Sequence, residues 1–277
     1  MALKLMYITN QPQIAQIAES SGVDRIFVDM EYIGKAERQG GLDSVQNYHT
    51  IEDIRVIKQA VQSAEVLVRV NPIHEVTAEY TSSKEEIDAA INAGADIVML
   101  PYITSSKQVE DFLRYVDGRA KTMPLIETPQ AVAVFDEILS LPGIDEIYIG
   151  LNDLSLGYGK SFMFSLLADG TVERLCLKFR QKGIPYGFGG IASIGTGTLP
   201  AEAILKEHYR LGSSSVILSR SFCNYEKITH RDEVKRIFDQ GLRDMREKEK
   251  EIEVHSRYFF ENMELVKEKV AQIAGEG

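Results

Sequence analysis

Pro124-Leu125-Ile126-Glu127-Thr128 is a short apolar run that ends abruptly in a carboxylate. One helix-like segment later, Ile147-Tyr148-Ile149-Gly150-Leu151-Asn152-Asp153-Leu154-Ser155 does the same. Apolar runs of this length, bounded by turn residues, read as buried strands. Working outward, strand and helix signals alternate in both directions. Strands are expected at residues 3–8, 25–30, 66–70, 96–100, 123–126, 146–149, 185–188 and 215–218. Helical patterns lie between them. One at 13–20 closes at Gly22, and one runs from a Thr50 cap, with Asp53 at the capping-box distance, to about 62. Further helices are expected at 84–92, ending at Gly94, and at 107–115, capped by Ser105 or Ser106. Pro129 stands at the favoured first position of another, and patterns at 172–182 and 200–210 complete the series. Eight strands, each followed by a helix, predict a (β/α)8 TIM barrel over residues 1–230. The competing architecture, an open doubly wound sheet, expects a glycine-rich dinucleotide turn after the first strand, and Tyr7-Ile8-Thr9-Asn10-Gln11-Pro12 is not one. Residues 231–277 differ. Val234, Ile237, Phe238, Leu242 and Met245, then Val254, Tyr258, Phe259, Met263 and Val266, form apolar stripes at helical spacing among charges. They predict additional C-terminal helices that bury a stripe on the barrel or on a neighbouring subunit.

At 277 residues and 44% hydrophobic, the chain is long enough for one full core. A net charge of −10 argues against nucleic acid and anionic membrane as partners, since both require a basic footprint. The two cysteines, Cys176 and Cys223, form neither a disulfide framework nor a zinc-ligand pattern. No stretch approaches the ~20 apolar residues of a spanning helix, and Met1-Ala2-Leu3-Lys4-Leu5 lacks a long apolar region and a cleavage site. These features set the expectation of a cytoplasmic protein.

Chemistry in such a barrel sits at the C-terminal ends of the strands. Those positions form a polar ring. It holds Asp29, Glu31 and Tyr32 after the second strand, Arg69 and Asn71 after the third, and Glu127 after the fifth. Asn152 and Asp153 follow the sixth, Gly189 and Gly190 the seventh, Ser219 and Arg220 the eighth. Two carboxylates placed together repel one another, and a cation resolves the repulsion. Two acids with open positions suit Mg2+ or Mn2+ better than a closed zinc site. The competing explanation for each acid is a helix cap, because Glu127 precedes Thr128-Pro129 and Asp153 precedes a serine-containing turn.

Over residues 3–221 the chain resembles the class II (metal-dependent) pyruvate and hydroxy-oxo-acid aldolases, within the wider group that includes citrate lyase β-like enzymes. The most specific parts are Leu125-Ile126-Glu127-Thr128 and Ile149-Gly150-Leu151-Asn152-Asp153-Leu154-Ser155. Gly94-Ala95-Asp96-Ile97-Val98-Met99-Leu100-Pro101 and Arg69-Val70-Asn71 support them. The resemblance implies a divalent metal on Glu127 and Asp153. It implies that Arg69 holds a keto-acid oxygen and the enolate, and that the backbone at Leu151-Asn152 contacts the substrate carboxylate. The reaction implied is cleavage or formation of a 2-oxo acid through a pyruvate enolate, with an aldehyde as partner. The donor would be a 2-oxo acid or a phosphorylated or enolic C3 acid, and the assembly a homo-oligomer joined through the C-terminal helices. Lys35 and Lys107 lie beyond the strand ends and Lys160 lies in a loop, which argues against a Schiff-base mechanism.

The pattern departs from the family in two places. Family aldolases carry a histidine one residue after the glutamate of the second strand, paired with the aspartate. Here that position is Tyr32. Three readings compete for the missing histidine: proton transfer by Tyr32 itself, proton transfer by His49 from the following loop, with His74 as a further loop candidate, or a related reaction with no histidine base. His208, His230 and His255 read as structural. The proline- and glycine-rich segment before the metal glutamate is also missing, with Val116-Asp117-Gly118-Arg119-Ala120-Lys121 in its place. Gly187-Phe188-Gly189-Gly190-Ile191-Ala192-Ser193-Ile194-Gly195-Thr196-Gly197-Thr198 is a candidate phosphate or carboxylate cradle with Ser219 and Arg220, or else a plain turn. Two alternatives use the same barrel: a CoA-thioester lyase of the citrate lyase β type, and a catalytically altered binding protein.

Overall fold

The computed structural model describes residues 2–35, 47–254 and 258–275. Eight parallel strands close into a barrel in sequential order: β1 Lys4–Ile8, β2 Arg25–Asp29, β3 Glu65–Arg69, β4 Ile97–Leu100, β5 Lys121–Ile126, β6 Ile147–Ile149, β7 Tyr186–Ile191 and β8 Ser215–Leu218. The expected (β/α)8 barrel with additional C-terminal helices is the observed fold. Helices on the outside are α1 Pro12–Ser21, α2 Ile51–Ala60, α3 Ser83–Ala93, α4 Ser106–Val116, α5 Pro129–Ala133, α6 Phe135–Ile138, α7 Leu151–Gly157, α8 Ser165–Ala168, α9 Thr171–Lys182 and α10 Ala201–Leu211. Local signals set many of their ends. Thr50–Asp53 and Ser105–Gln108 form reciprocal capping boxes, and Gly22, Gly94 and Gly212 close helices in the left-handed conformation.

Strand periodicity sorts the barrel interior into layers. Arg25, Glu65 and Lys121 are the first residues of their strands and point inward at the N-terminal face. Arg25 is fully buried and donates to both oxygens of Glu146 (2.8 and 2.5 Å) and to Glu65 (2.9 Å). Two residues on, Phe27, Leu67, Met99, Met123 and Tyr148, with Leu125 one step further along β5, fill an apolar middle. Two residues further, the same parity delivers Asp29 beside Arg69, its registered neighbour across β2 and β3. Glu127 continues the inward series of β5. An ionic plug closes one end, an apolar layer insulates it, and a second ionic layer opens at the C-terminal mouth.

Two helices follow the barrel: α11 Arg231–Val254 and α12 Tyr258–Ala274. The stripe expected to pack on the barrel or on a neighbour packs, for α11, on the barrel itself. Val234, Phe238, Leu242 and Met245 are buried, and Glu249 accepts the Leu3 N–H (2.8 Å). On α12, Val266 and Val270 are buried and Asn262 donates to Ala203 and Glu207 of α10. Truncation at Arg231 would therefore strip the barrel of packing as well as removing any surface used between subunits. No helix among the described residues is long and apolar enough to cross a membrane.

Two differences from the sequence reading bear on the site. β7 does not stop at Phe188 but runs to Ile191, with a register shift against β8 between Gly187 and Gly190. Gly189 and Gly190 thus lie inside a bulged strand and not after it. Residues 151–157 form a helix directly after β6, so Asp153 sits in a first helical turn.

Candidate active site

At the mouth of the barrel Asp29 is fully buried and saturated with donors. Arg69 Nε reaches Oδ1 and Arg69 Nη2 reaches Oδ2, both at 2.8 Å. Lys35 Nζ (2.7 Å) and Asn47 Nδ2 (3.0 Å) also reach Oδ2. Burial alone would raise the Asp29 carboxyl. The Arg69 and Lys35 charges and their hydrogen bonds overcome it and hold the carboxyl well below the usual range. Glu31 joins the cluster, 3.3 Å from Arg69 Nη1 and 3.8 Å from Lys35 Nζ. Two acids and two bases so balance in a space from which water is largely excluded. The two-point hold on Arg69 fixes its planar fork, and the guanidinium lies 5.6 Å from the Phe27 ring centroid.

Glu127 takes a different environment. It is not the cap of the next helix: Thr128 accepts the Ala131 N–H and fills that role. Glu127 Oε1 accepts the backbone N–H of Tyr102 (2.8 Å), a residue held at φ 47° immediately after Pro101. A non-glycine residue in the left-handed region is strained, and here the strain aims an amide at a carboxylate. Burial, then the Glu31 charge and to a lesser degree Asp153, push the Glu127 carboxyl up to about 8 against the pull of Arg69. Asp153 is no cap of α7 by position, since Gly150 is the N-cap residue. Gly150 must lack a side chain, because a Cβ there would stand 2.8 Å from Glu127 Cβ and Oε2.

Glu127 and Asp153 line a common cavity of about 220 Å3 at the mouth. Arg69, Asn152 and Leu151 line it too, and Gly189 and Gly190 form its far wall. Gly189 adopts φ 57°, and a Cβ on it would meet Leu151 at 2.6 Å. The same two acids also border a second space of about 250 Å3 with Tyr102 and Pro129. Among the described residues no group of three or more His, Cys, Asp or Glu side chains is placed to hold a metal by itself. A buried Glu127 repelled by a half-buried Asp153, beside open volume, nevertheless fits a hard divalent cation that keeps water or substrate oxygens in its shell. Glu127 and Asp153 are the residues that would hold it.

The remaining expected positions fall into three groups. Ser219 and Arg220 do not line the 220 Å3 cavity. They border an adjoining one of about 420 Å3 that shares Asn152, Met163 and Ile217 with it. Tyr32 and His49 stand behind Asp29. The Tyr32 hydroxyl donates to the His49 carbonyl and is pushed up to about 12, by burial first and then by Asp29. His49 Nδ1 accepts the Asp29 N–H (3.0 Å), which assigns the ring proton to Nε2, and burial lowers its pKa. His74, His208 and His230 line neither cavity. His74 is tied to Pro72, Thr81 and Ser83, His208 stacks on Phe188 with centroids 3.8 Å apart, and His230 precedes α11. His255 lies outside the described residues. In the glycine-rich stretch after β7, Gly195 N–H donates to Glu202 (2.8 Å), and residues 193–198 line neither cavity.

The sequence places Lys35, six residues beyond Asp29, past the strand end and away from the chemistry, whereas the structure returns it to Asp29. Gly34 at φ 71° turns the chain back, and Asn71 Oδ1 accepts the Tyr32 and Ile33 N–H groups (2.8 and 2.9 Å) to lock the reversal. The readable signal was the Gly34-Lys35 pair just past a strand end. Tyr102 was passed over as well, because its contribution is an amide and not a side chain.

A family model for HpcH/HpaI aldolase/citrate lyase matches residues 4–183. An HpcH/HpaI aldolase from Desulfitobacterium hafniense DCB-2 superposes with a TM-score of 0.62 at 18% identity, covering 85% of this chain and 92% of that one. An HpcH/HpaI aldolase/citrate lyase family protein from Burkholderia cenocepacia J2315 gives 0.60 at 15% identity, over 85% and 94%. At such identities the likeness is one of fold. None of the curated proteins compared matches the chain. With well over half its length matched by the family model, the chain belongs to the HpcH/HpaI aldolase/citrate lyase family, a family of lyases.

Proposed function

We propose that this protein is a metal-dependent carbon–carbon lyase that cleaves or forms a 2-oxo acid through a pyruvate enolate, with an aldehyde as the second substrate. The observation that carries this reading is the single cavity bordered at once by Arg69, Glu127 and Asp153. A divalent cation of the Mg2+ or Mn2+ kind, bound there, would supply Lewis-acid stabilisation of the charge that develops on a keto oxygen.

The chain's own residues do the rest. Arg69 reaches the cavity with a guanidinium already fixed by Asp29 and Glu31, so its orientation costs nothing when a keto acid arrives. The flat wall of Gly189 and Gly190 leaves room for a planar three-carbon acid, and Phe27, Met99 and Leu125 keep the floor dry. In this reading Tyr32 and His49 brace Asp29 from behind: the tyrosine hydroxyl and the His49 Nδ1 lone pair are both already engaged. Lys35 occupies the place beside Asp29 that the resemblance gives to a histidine.

The test is proton exchange at the pyruvate methyl group in D2O, followed by NMR. Exchange should depend on Mg2+ or Mn2+ and be lost in Glu127→Ala. Exchange that persists in that variant would remove the mechanism.

A further inference from the structure

Lys35 reaches Asp29 because the chain reverses just past the end of β2, and that reversal has a support of its own. Tyr32 to Lys35 form a tight turn. The Lys35 N–H donates to the Tyr32 carbonyl (3.2 Å), and Gly34 at φ 71° takes the position where a type II turn needs a positive φ. The amides of Tyr32 and Ile33 donate to Asn71 Oδ1 (2.8 and 2.9 Å). Asn71 is buried and is held in turn from its other side. Its backbone N–H (3.1 Å) and its Nδ2 (2.9 Å) both donate to Glu86 Oε1.

Glu86 stands in the first turn of α3, but the helix start does not require it. Glu85 closes the capping box there and accepts the Ser82 N–H (3.0 Å). The second oxygen of Glu86 is enclosed and has no hydrogen-bond partner among the described residues. A carboxylate enclosed in this way is costly, and its one engaged oxygen is spent entirely on Asn71. An asparagine amide has a donor end and an acceptor end, whereas a carboxylate only accepts. Glu86 therefore fixes the amide with its NH2 inward, and the carbonyl faces the turn. The contacts run on from the turn through Lys35 and Asp29 to Arg69, which borders the 220 Å3 cavity. Glu86 and Asn71 line neither cavity, so whatever they do for the site they do through this series.

We propose that Glu86 is a positioning residue of the candidate site: by holding Asn71 at two points it keeps the turn closed and Lys35 seated on Asp29, the carboxylate that fixes the Arg69 fork. The seating is independent of the aldolase reading, and its effect on turnover rests on that reading. Burial raises the Glu86 carboxyl, and what the arrangement asks of it is an acceptor oxygen rather than a charge. Glutamine supplies that oxygen, and leucine or alanine does not.

The experiment labels the full-length protein with N-acetoxysuccinimide, well below the melting temperature of each variant, and reads each lysine by peptide mass spectrometry. Lys35 is buried, while Lys107 and Lys121 are exposed and serve as references for the reagent. In Glu86→Leu and in Glu86→Ala, Lys35 should label at least about tenfold faster than in wild type, the order of one hydrogen bond to a charged group. Glu86→Gln should stay near the wild-type rate. Mn2+-dependent exchange of the pyruvate methyl protons is measured beside it. Its kcat should fall in Glu86→Leu about as far as in Lys35→Met, recover in Glu86→Gln, and fall no further when the leucine and methionine changes are combined. A general loss of packing would add to the Lys35→Met effect and would not be rescued by glutamine. Lys35 as well protected in both Glu86→Leu and Glu86→Ala as in wild type overturns the proposal. Exposed Lys35 with unchanged exchange, or additive losses in the double variant, overturns the positioning role. Absence of exchange in wild type overturns the aldolase reading, while the labelling still decides whether Glu86 seats Lys35.

Discussion

Replacing Glu127 with glutamine tests the electrostatics of the candidate site without any substrate. Glutamine keeps the shape and an oxygen to accept the Tyr102 N–H, and removes only the charge. The folded carboxyl is raised from an ordinary 4.5 to about 8, by burial and then by Glu31. A group raised in this way favours the folded state below its unfolded pKa, and that advantage is lost as pH rises through the folded value. At about 1.36 kcal/mol per pH unit, the metal-free protein at pH 7 bears a penalty on the order of 3 kcal/mol for this one side chain. Glu127→Gln does not bear it. Its melting temperature in chelator should match wild type near pH 4.5, exceed it increasingly up to pH 8, and hold a constant margin above. The difference at pH 7 should be roughly 5 to 10 °C for a chain of this size. Mn2+ at about a hundred times its dissociation constant should return ~2.7 kcal/mol to wild type and little to the variant. Thermal unfolding by circular dichroism at pH 5, 7, 8 and 9, with and without Mn2+, reads all of this. A margin that does not change between pH 5 and 8, or an equal response of both proteins to Mn2+, would refute the reasoning.

Substitutions at two further positions follow from the same geometry. Lys35→Met leaves Asp29 and Glu31 with Arg69 as their cation and should cost about 3 kcal/mol at pH 7, seen as a lower urea midpoint, while Lys35→Arg should keep most of it. Because the Asp29 carboxyl is held below its ordinary value, that difference should shrink as pH falls through the carboxylate range, and a Met variant as stable as wild type at pH 7 would contradict the ion-pair assignment. Gly150→Ala drives a methyl group to 2.8 Å from Glu127, so Mn2+ affinity by calorimetry should fall about tenfold, with a loss of ~1–3 kcal/mol in stability. Unchanged affinity would mean that Glu127 is not pinned where the metal reading needs it.

The architecture was legible because its causes are local. Alternation along β2 and β3, the capping boxes at Thr50 and Ser105, and Pro129 at a helix start all act within a few residues, and the structure keeps them. The same alternation placed Asp29, Arg69 and Glu127 at strand ends, where parity sends them inward. The end of β7 was not legible. Its glycines carry no local strand signal, and only pairing with β8 extends it to Ile191.

The sequence by itself determined the barrel, the order of its strands and the place of Asp29, Arg69, Glu127 and Asp153 at its mouth, since periodicity and turn chemistry operate over short stretches of chain. Only the tertiary structure decided which charges meet. It brought Lys35 back onto Asp29, hydrogen-bonded Tyr32 to His49 and His49 to the Asp29 backbone, laid the α11 stripe on the barrel, and set Glu127 among other acids at a raised pKa. Those outcomes depend on burial and on distances between segments far apart in the chain, and such quantities exist only once the chain has closed on itself.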